Sequence, residues 1–335
     1  MNPPVLYPDT SDAEAHLRRL TETVNQALAT LPLPQEPAVL YEPVRYVLGG
    51  GGKRLRPALV LLAAETFGAP TERALPAALA VEVFHNFTLV HDDIMDHADE
   101  RRGRPSVHVV WDESTAILAG DLLMGMSYDL LAQTETGRLG AIVRRFHRMV
   151  MRLCEGQALD EQFETDDAVT VERYLGMIDG KTGALVELSL VLGGLVGEAE
   201  DAALVALAEV GRSWGRAFQI QDDLLDLTAA DARWGKTVGG DLLEGKKTFL
   251  LLRALERAEG DEHAWFQRIV TNGGLPAGEI DEARRRMHAL GVLDEARATV
   301  LRHYEEGEQA LGALPAGPGR EGLRWIAGRM ARRVR

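Results

Sequence analysis

Twice in this chain three aspartates stand in the pattern D-D-x-x-D: Asp92-Asp93-Ile94-Met95-Asp96 and Asp222-Asp223-Leu224-Leu225-Asp226. On a helix the first and last members of each set share a face, one turn apart. Each set closes a long apolar stretch, Val81 to Met95 and Val205 to Leu225. Carboxylates at the end of an otherwise buried helix are costly unless a cation sits on them. Hard oxygen donors in small number suit Mg2+, which binds through one or two carboxylates and takes its other ligands from water and substrate phosphate. Two such clusters facing each other would cage a diphosphate through several Mg2+ ions. A single copy in an acidic protein is more often a helix cap or a solvated face. The repetition, and the glycine-rich basic segment after each copy, point to the metal.

Glycine-rich basic segments accompany the aspartates. Gly49-Gly50-Gly51-Gly52 leads into Lys53-Arg54-Leu55-Arg56-Pro57. Glycines let the backbone approach an anion, and the cations stand at the start of a helix whose free N–H groups also favour anions. Asp99-Glu100-Arg101-Arg102-Gly103-Arg104-Pro105 comes after the first acidic set, and arginine matches phosphate in a bidentate fork. Asp179-Gly180-Lys181-Thr182-Gly183 interrupts a helical stretch. Each glycine there weakens the helix by ~1 kcal/mol relative to alanine, so a kink would turn backbone carbonyls toward a cavity. After the second acidic set come Gly235-Lys236-Thr237 and Gly245-Lys246-Lys247-Thr248. No Walker loop, Ser/His/Asp spacing or zinc-type Cys/His cluster stands out. Acid, metal, phosphate and base, repeated twice beside apolar helices, are the equipment for ionising or transferring a diphosphate ester.

The elements that must position these groups read as helices. A capping box at Ser11 and Glu14 opens a helix to about Thr30, which Pro32, Pro34 and Pro37 end. Arg56-Pro57 begins another through Phe67, with proline in its first turn. Helical periodicity then covers 74–96, 113–133, 138–163, 171–196, 201–228, 246–258, 262–271, 277–290, 292–311 and 320–333. No period-two alternation and no hairpin dipeptide stands out. The expectation is an all-α chain: one large helical bundle around a central cavity, a single domain over 1–335, with a peripheral helical layer from 260 onward.

Composition excludes several functions. The net charge of −14 argues against nucleic acid or an anionic membrane as the main partner. The one cysteine, Cys154, permits no internal disulfide, fits a reducing cytoplasm, and is expected to pack between helices. The N-terminus has no secretory pattern, and no apolar run of the length that spans a bilayer is expected.

Together these residues resemble the trans-isoprenyl diphosphate synthases, or polyprenyl synthetases. The resemblance runs from Gly50 to Thr248. It rests on Gly-Gly-Lys-Arg-Leu-Arg-Pro, both aspartate sets, the Arg-Arg-Gly-x-Pro after the first, Gly156-Gln157-x-x-Asp160, Lys181-Thr182-Gly183, Phe218-Gln219 before the second set, and the Gly-Lys-Lys-Thr loop. It implies an isoprenoid-synthase-type bundle, usually a homodimer, in which an allylic diphosphate ionises and isopentenyl diphosphate adds to the cation. Carried over by motif, Asp92 and Asp96 would bind two Mg2+ ions and Asp222 a third. Asp93, Asp223 and Asp226 would act through hydrogen bonds or water. Arg101, Lys181 and Lys236 would hold the allylic diphosphate, with Lys246 closing over it. Lys53, Arg56, His85 and Arg102 would hold isopentenyl diphosphate, and Thr182 and Gln219 would turn oxygen dipoles to the cation. Phe87, five residues before Asp92, would form part of the chamber floor, with the small Thr88 beside the path. Phe-Thr before an uninserted aspartate set resembles short-chain synthases that make geranylgeranyl diphosphate, farnesyl diphosphate being the nearest alternative. A regulatory subunit would be expected to lack one acidic set, and a terpene cyclase to replace the second with a mixed Asn/Ser/Glu motif.

Overall fold

The computed structural model describes residues 11–228 and 238–332. In chain order the helices are α1 (Ser11–Ala29), α2 (Ala38–Leu48), α3 (Leu55–Thr66), α4 (Thr71–Met95), α5 (Val107–Val110), α6 (Glu113–Ala132), α7 (Leu139–Thr165), α8 (Val171–Ile178) and α9 (Ala184–Val196). They continue with α10 (Asp201–Thr228), α11 (Gly240–Leu243), α12 (Phe249–Arg257), α13 (Gly260–Thr271), α14 (Ile280–Ala289), α15 (Val292–Gly312) and α16 (Pro318–Ala331). Strands β1 (Glu100–Arg101) and β2 (Arg104–Pro105) form a small antiparallel hairpin between α4 and α5.

The two acidic sets stand at the ends of two long helices, α4 and α10, of 25 and 28 residues. α4 is buried nearly all round over its middle, from Ala74 through Phe84, the pattern of a helix surrounded by others. α9 is similar: Leu188 through Val196 are all buried. α3, α4 and α9 pack together, α10 lies along α9 and α15, and α6 lies along α4. The α3–α9 contact is close enough that a Cβ on Gly193 would sit 2.2 Å from the Val60 carbonyl oxygen. One apolar cluster runs from Leu20 of α1 to Ala331 of α16.

Four features differ from the sequence reading. α2 was not anticipated. It contains Pro43 and follows Pro37, so its helicity comes from burying Val44 and Leu48 and from packing on α6, not from propensity. The β1–β2 hairpin escaped because its turn is Arg102-Gly103 instead of an Asn-Gly type. Both turn residues have positive φ, 55° and 71°, the backbone that a two-residue hairpin requires. The stretch 171–196 is not one helix: Asp179–Gly183 forms a π-helical turn between α8 and α9. From 260 onward only part is peripheral, because α15 buries Val300, Tyr304 and Leu311 completely and lies along α10.

Two smaller expectations also change. Cys154 is exposed, not packed between helices. α6, at 20 residues, is by length and composition apolar enough to cross a bilayer, against the expectation that no such segment exists. Its Ala116, Ala119, Leu123, Leu130 and Leu131 face the protein interior, while Ile117 and Leu118 are 46% and 57% exposed.

Candidate active site

A cavity of ≈ 230 Å³ opens between the ends of the two long helices. Asp96 of α4 lines it, as do Asp222, Asp223 and Asp226 of α10, Lys181 and Thr182 of the π-turn, Asp160 of α7, and Lys246. The first aspartate set reaches this chamber through Asp96 and the second through all three of its members; Asp92 is not among the lining residues, and Asp93 lines a separate small cavity with Arg101 and Arg102.

The π-turn is the device that brings Lys181 and Thr182 into it. α7 approaches so closely that a Cβ on Gly156 would lie 2.2 Å from the Lys181 backbone nitrogen. Only glycine is accommodated there, which gives the Gly156-Gln157-x-x-Asp160 motif a packing reason. Asp179, at the start of the turn, accepts from both Nε and an Nη of Arg216 at 2.7 and 2.5 Å, and Arg152 donates to its carbonyl at 3.0 Å. Lys181 Nζ lies 2.5 Å from Asp160 Oδ2. Thr182 Oγ1 donates to Gln219 Oε1 at 3.1 Å, and Gln219 Nε2 donates to Asp223 Oδ1 at 3.2 Å.

Within each set the members differ. Asp92 is half-buried, and burial together with Asp96 and Asp93 raises its pKa to about 6, against the pull of Lys181 and Arg101. Asp96 is exposed at the helix end. Asp93 is turned away and buried, where Arg101 contacts its Oδ1 through Nε at 2.7 Å and Nη2 at 2.5 Å. Asp222 is half-buried. Asp223 is buried and accepts from the Tyr174 hydroxyl, Gln219 and the Phe249 backbone N–H. Burial, then the nearby Asp241, pushes its pKa to about 7. Asp226 accepts from the Asp241 backbone N–H at 3.2 Å, and its own carbonyl accepts from Gly239 N–H at 2.8 Å.

This donor set fits Mg2+. Among the described residues no three acidic or histidine side chains converge into a ready-made metal site. An ion here would meet one or two carboxylates on each wall and draw its remaining oxygens from substrate and water, as Mg2+ does. The raised pKa of Asp92 comes first from burial and then from Asp96 and Asp93 beside it, a charge cost that a bound cation would relieve.

A basic site lies two turns before Asp92 along α4. His85 Nε2 is 3.1 Å from an Arg56 guanidinium nitrogen. Burial, then Arg56 and the other nearby arginines, hold His85 well below its ordinary pKa. It is neutral, so Nε2 accepts from Arg56 and the proton stands on Nδ1. Arg56 Nε is buried without a hydrogen-bond partner among the described residues, an orphaned cationic donor that an anion would satisfy. Lys53 is exposed on the glycine-rich loop before α3, and Arg102 reaches the same loop by donating to the Gly51 carbonyl. Arg54 takes a different course. Its left-handed backbone (φ 46°) turns it inward, where it is buried and bonds Glu82 Oε1 at 2.5 Å and Asn25 Oδ1 at 2.8 Å.

Lys246 pairs with Glu244 at 2.7 Å on the loop before α12 and lines the cavity. Lys236 lies outside the described residues. Phe87 is half-buried on the α4 face that carries Phe84 and His91, with ring centroids 5.1 and 4.7 Å away. Phe84 in turn meets Phe146, which meets Tyr128 of α6. Thr88 is buried and donates to the His85 carbonyl.

The sequence reading passed over Tyr174, Arg216, Arg152 and Asp241, which hold the site residues in place. None carried a local signal, since their partners lie 15 to 49 residues away in the chain.

Comparison with known proteins gives a consistent picture. The profile of the family described as Polyprenyl synthetase matches residues 37–287. The chain is 39% identical over 319 residues to the geranylgeranyl diphosphate synthase of Methanosarcina mazei, covering 95% of this chain and 97% of that one. It is 37% identical over 332 residues to the geranylfarnesyl diphosphate synthase of Natronomonas pharaonis, covering 94% and 96%. The crystal structure of geranylgeranyl pyrophosphate synthetase from Pyrococcus horikoshii superposes with a TM-score of 0.89 at 36% identity, covering 96% and 98%.

Proposed function

The chain belongs to the polyprenyl synthetase family, and from that premise we propose that it condenses isopentenyl diphosphate with an allylic diphosphate (dimethylallyl, geranyl or farnesyl) to give a short-chain trans-prenyl diphosphate, geranylgeranyl diphosphate. The observation that carries the reading is the chamber at which Asp96 of the first set meets Asp222, Asp223 and Asp226 of the second, with Lys181 and Thr182 of the π-turn on its wall.

Asp92 and Asp96 from one wall and Asp222 from the other would hold three Mg2+ ions. When bound, these would neutralise charge on the departing diphosphate. Arg101, Lys181 and Lys246, with Lys236, bind the allylic diphosphate. Lys53, Arg56, His85 and Arg102 bind the diphosphate of isopentenyl diphosphate, which does not leave; Arg56 Nε supplies a donor lacking any other partner among the described residues. The Thr182 hydroxyl donates its hydrogen bond to Gln219 Oε1, so the lone pairs of its oxygen are what remain to face an allylic cation. The apolar walls exclude water that would quench that cation. The proton lost from the new carbon chain goes to the departing diphosphate.

Incubation with Mg2+, radiolabelled isopentenyl diphosphate and geranyl diphosphate tests the reading directly. Linear prenyl diphosphates are the expected products. A cyclic hydrocarbon, or no turnover by the pure protein, would overturn it in favour of a cyclase or a regulatory subunit.

Product length rests on Phe87 as part of the floor. The aromatic group of Phe84, Phe87, Phe146 and Tyr128 supports this, because it joins α4 to α6 and α7 below the aspartates. Phe87→Ala in a folded protein is expected to shift products to ~five or more isoprene units, at a stability cost below the ~3–5 kcal/mol of a fully buried ring, because Phe87 is half-buried. An unchanged distribution moves the floor to the α6 residues around Met124–Tyr128.

A homodimer completes the reading. Val109, Val110, Ile117 and Leu118, 44–57% exposed on α5 and α6, make an apolar face suited to a second copy. We place the enzyme in the cytoplasm, which a single exposed thiol fits.

A further inference from the structure

The β1–β2 hairpin carries Arg101 and Arg102 on adjacent positions, and the two ends of it are held differently. On the α4 side, over a small cavity of ≈ 50 Å³ walled by Asn86, Leu89, Val90 and Asp93, Arg101 of β1 is tied to Asp93. Strand β2 is held from the side, by α2. The Tyr46 hydroxyl donates to the Pro105 carbonyl at 2.8 Å, and the Tyr46 carbonyl accepts from an Arg104 Nη at 3.3 Å. The Arg104 guanidinium carbon lies 3.8 Å from the Tyr46 ring centroid, a cation–π contact. Trp111 meets the same ring edge-on at 5.4 Å. One tyrosine thus grips strand β2 by its hydroxyl, its ring and its backbone.

We propose that Tyr46 and Arg104 are positioning residues that seat the hairpin so that Arg102 is held at the diphosphate of isopentenyl diphosphate. This rests on the proposed role of Arg102 in binding that diphosphate. The two turn-side arginines differ in how they are secured. Arg101 has its own anchor, two contacts to Asp93 of α4. Arg102 sits in the turn itself at positive φ and is tied to the carbonyl of Gly51, within a run of four glycines. Loosening the clasp therefore moves Arg102 and leaves Arg101 in place. The effect should fall on isopentenyl diphosphate and spare the allylic substrate.

Steady-state kinetics with Mg2+, isopentenyl diphosphate and geranyl diphosphate read this out, with circular dichroism and melting curves to establish folding. Tyr46→Ala should raise KM for isopentenyl diphosphate about tenfold while KM for geranyl diphosphate and kcat stay within about twofold. Tyr46→Phe keeps the ring under Arg104 and should stay within about threefold of wild type in KM. Arg104→Met removes the cation while keeping chain length; it should match Tyr46→Ala, and it carries the test if that variant does not fold. Arg102→Ala serves as the reference. If it raises KM for isopentenyl diphosphate while folded Tyr46→Ala and Arg104→Met leave it unchanged, the clasp is refuted. A parallel rise in both KM values would also refute it, because that marks a general structural role. If Arg102→Ala itself has no effect on KM, the substrate reading of Arg102 fails, and the clasp with it.

Discussion

The two D-D-x-x-D sets carry identical aspartates at identical spacing but stand in different surroundings. At the end of α4 the set is open: Asp92 is half-buried, Asp96 exposed, and only Asp93 is committed inward, to Arg101. At the end of α10 the set is mostly enclosed. Asp223 gathers Tyr174, Gln219 and the start of α12, and Asp226 fastens the backbone of Gly239 and Asp241. The same motif serves mainly as an ion-binding edge in one place and as a structural knot with one outward carboxylate, Asp222, in the other. In both, the middle aspartate is the one drawn into the protein. Spacing on a helix decides which carboxylates can share a face; the neighbouring elements decide what each one does.

The largest expected effect tests what the sets share. Asp92→Asn and Asp222→Asn should each lower turnover by roughly a thousandfold, the several kcal/mol of charge stabilisation that bound metal supplies, with melting temperature little changed. Full activity in either variant, or an active wild type in EDTA, would break the symmetry between the walls. The next test addresses how they differ. Asp226→Ala should cost about 1–3 kcal/mol of stability through the Asp241 N–H that loses its side-chain acceptor, whereas Asp96→Ala should stay within about 0.5 kcal/mol. Equal denaturant midpoints for the two variants would contradict the contrast. The smallest effect concerns pH. Asp92 has a folded pKa of about 6 against an ordinary 3.8. Its protonated form therefore contributes stability to the metal-free fold that is fully present below the ordinary value and lost as pH rises through about 6. Mg2+ competes with that proton, so it should raise the melting temperature more at pH 8 than at pH 5 (arbitrary points about one to two units either side of the pKa). An equal rise at both would mean that Asp92 does not meet the ion.

Much of this site was legible because its motifs are local. The aspartate pairs, Lys181-Thr182, Arg56 and the glycine runs each declare themselves within a few residues. The long helices were legible because their apolar runs are unbroken. What escaped depended on distant partners. Arg54 looks from sequence like a third phosphate-binding cation, yet Glu82, 28 residues away, claims it for the interior. α2 carries proline inside it and becomes a helix because α6 offers a surface. The hairpin has an arginine at a left-handed turn position, where an asparagine or glycine would have announced it. The weakening at Gly180 and Gly183 was visible as a kink, but its form, a π-turn, lies where Gly156 of α7 packs directly against Gly180 and Lys181.

That turn has a consequence for how the chain can change length. A π-turn holds about one residue more than an α-helical turn, and each residue advances the helix by about 100°. Asp179–Gly183 thus takes up one extra residue within a turn and keeps the helices on either side in phase. α8 presents Tyr174 and Ile178 to the chamber while α9, next in the chain, presents Gly193 to the Val60 carbonyl of α3. Removing one residue from the turn would let α8 and α9 join as a continuous α-helix with Gly193 still on α3. A residue added within α9 ahead of Gly193, where no such turn takes it up, would instead swing Gly193 off α3 by about 100°. The stretch from Ala184 to Gly193 therefore behaves like a reading frame, in which the count of residues is constrained as firmly as their identity, and the π-turn before it is the place where a change of one residue is tolerated.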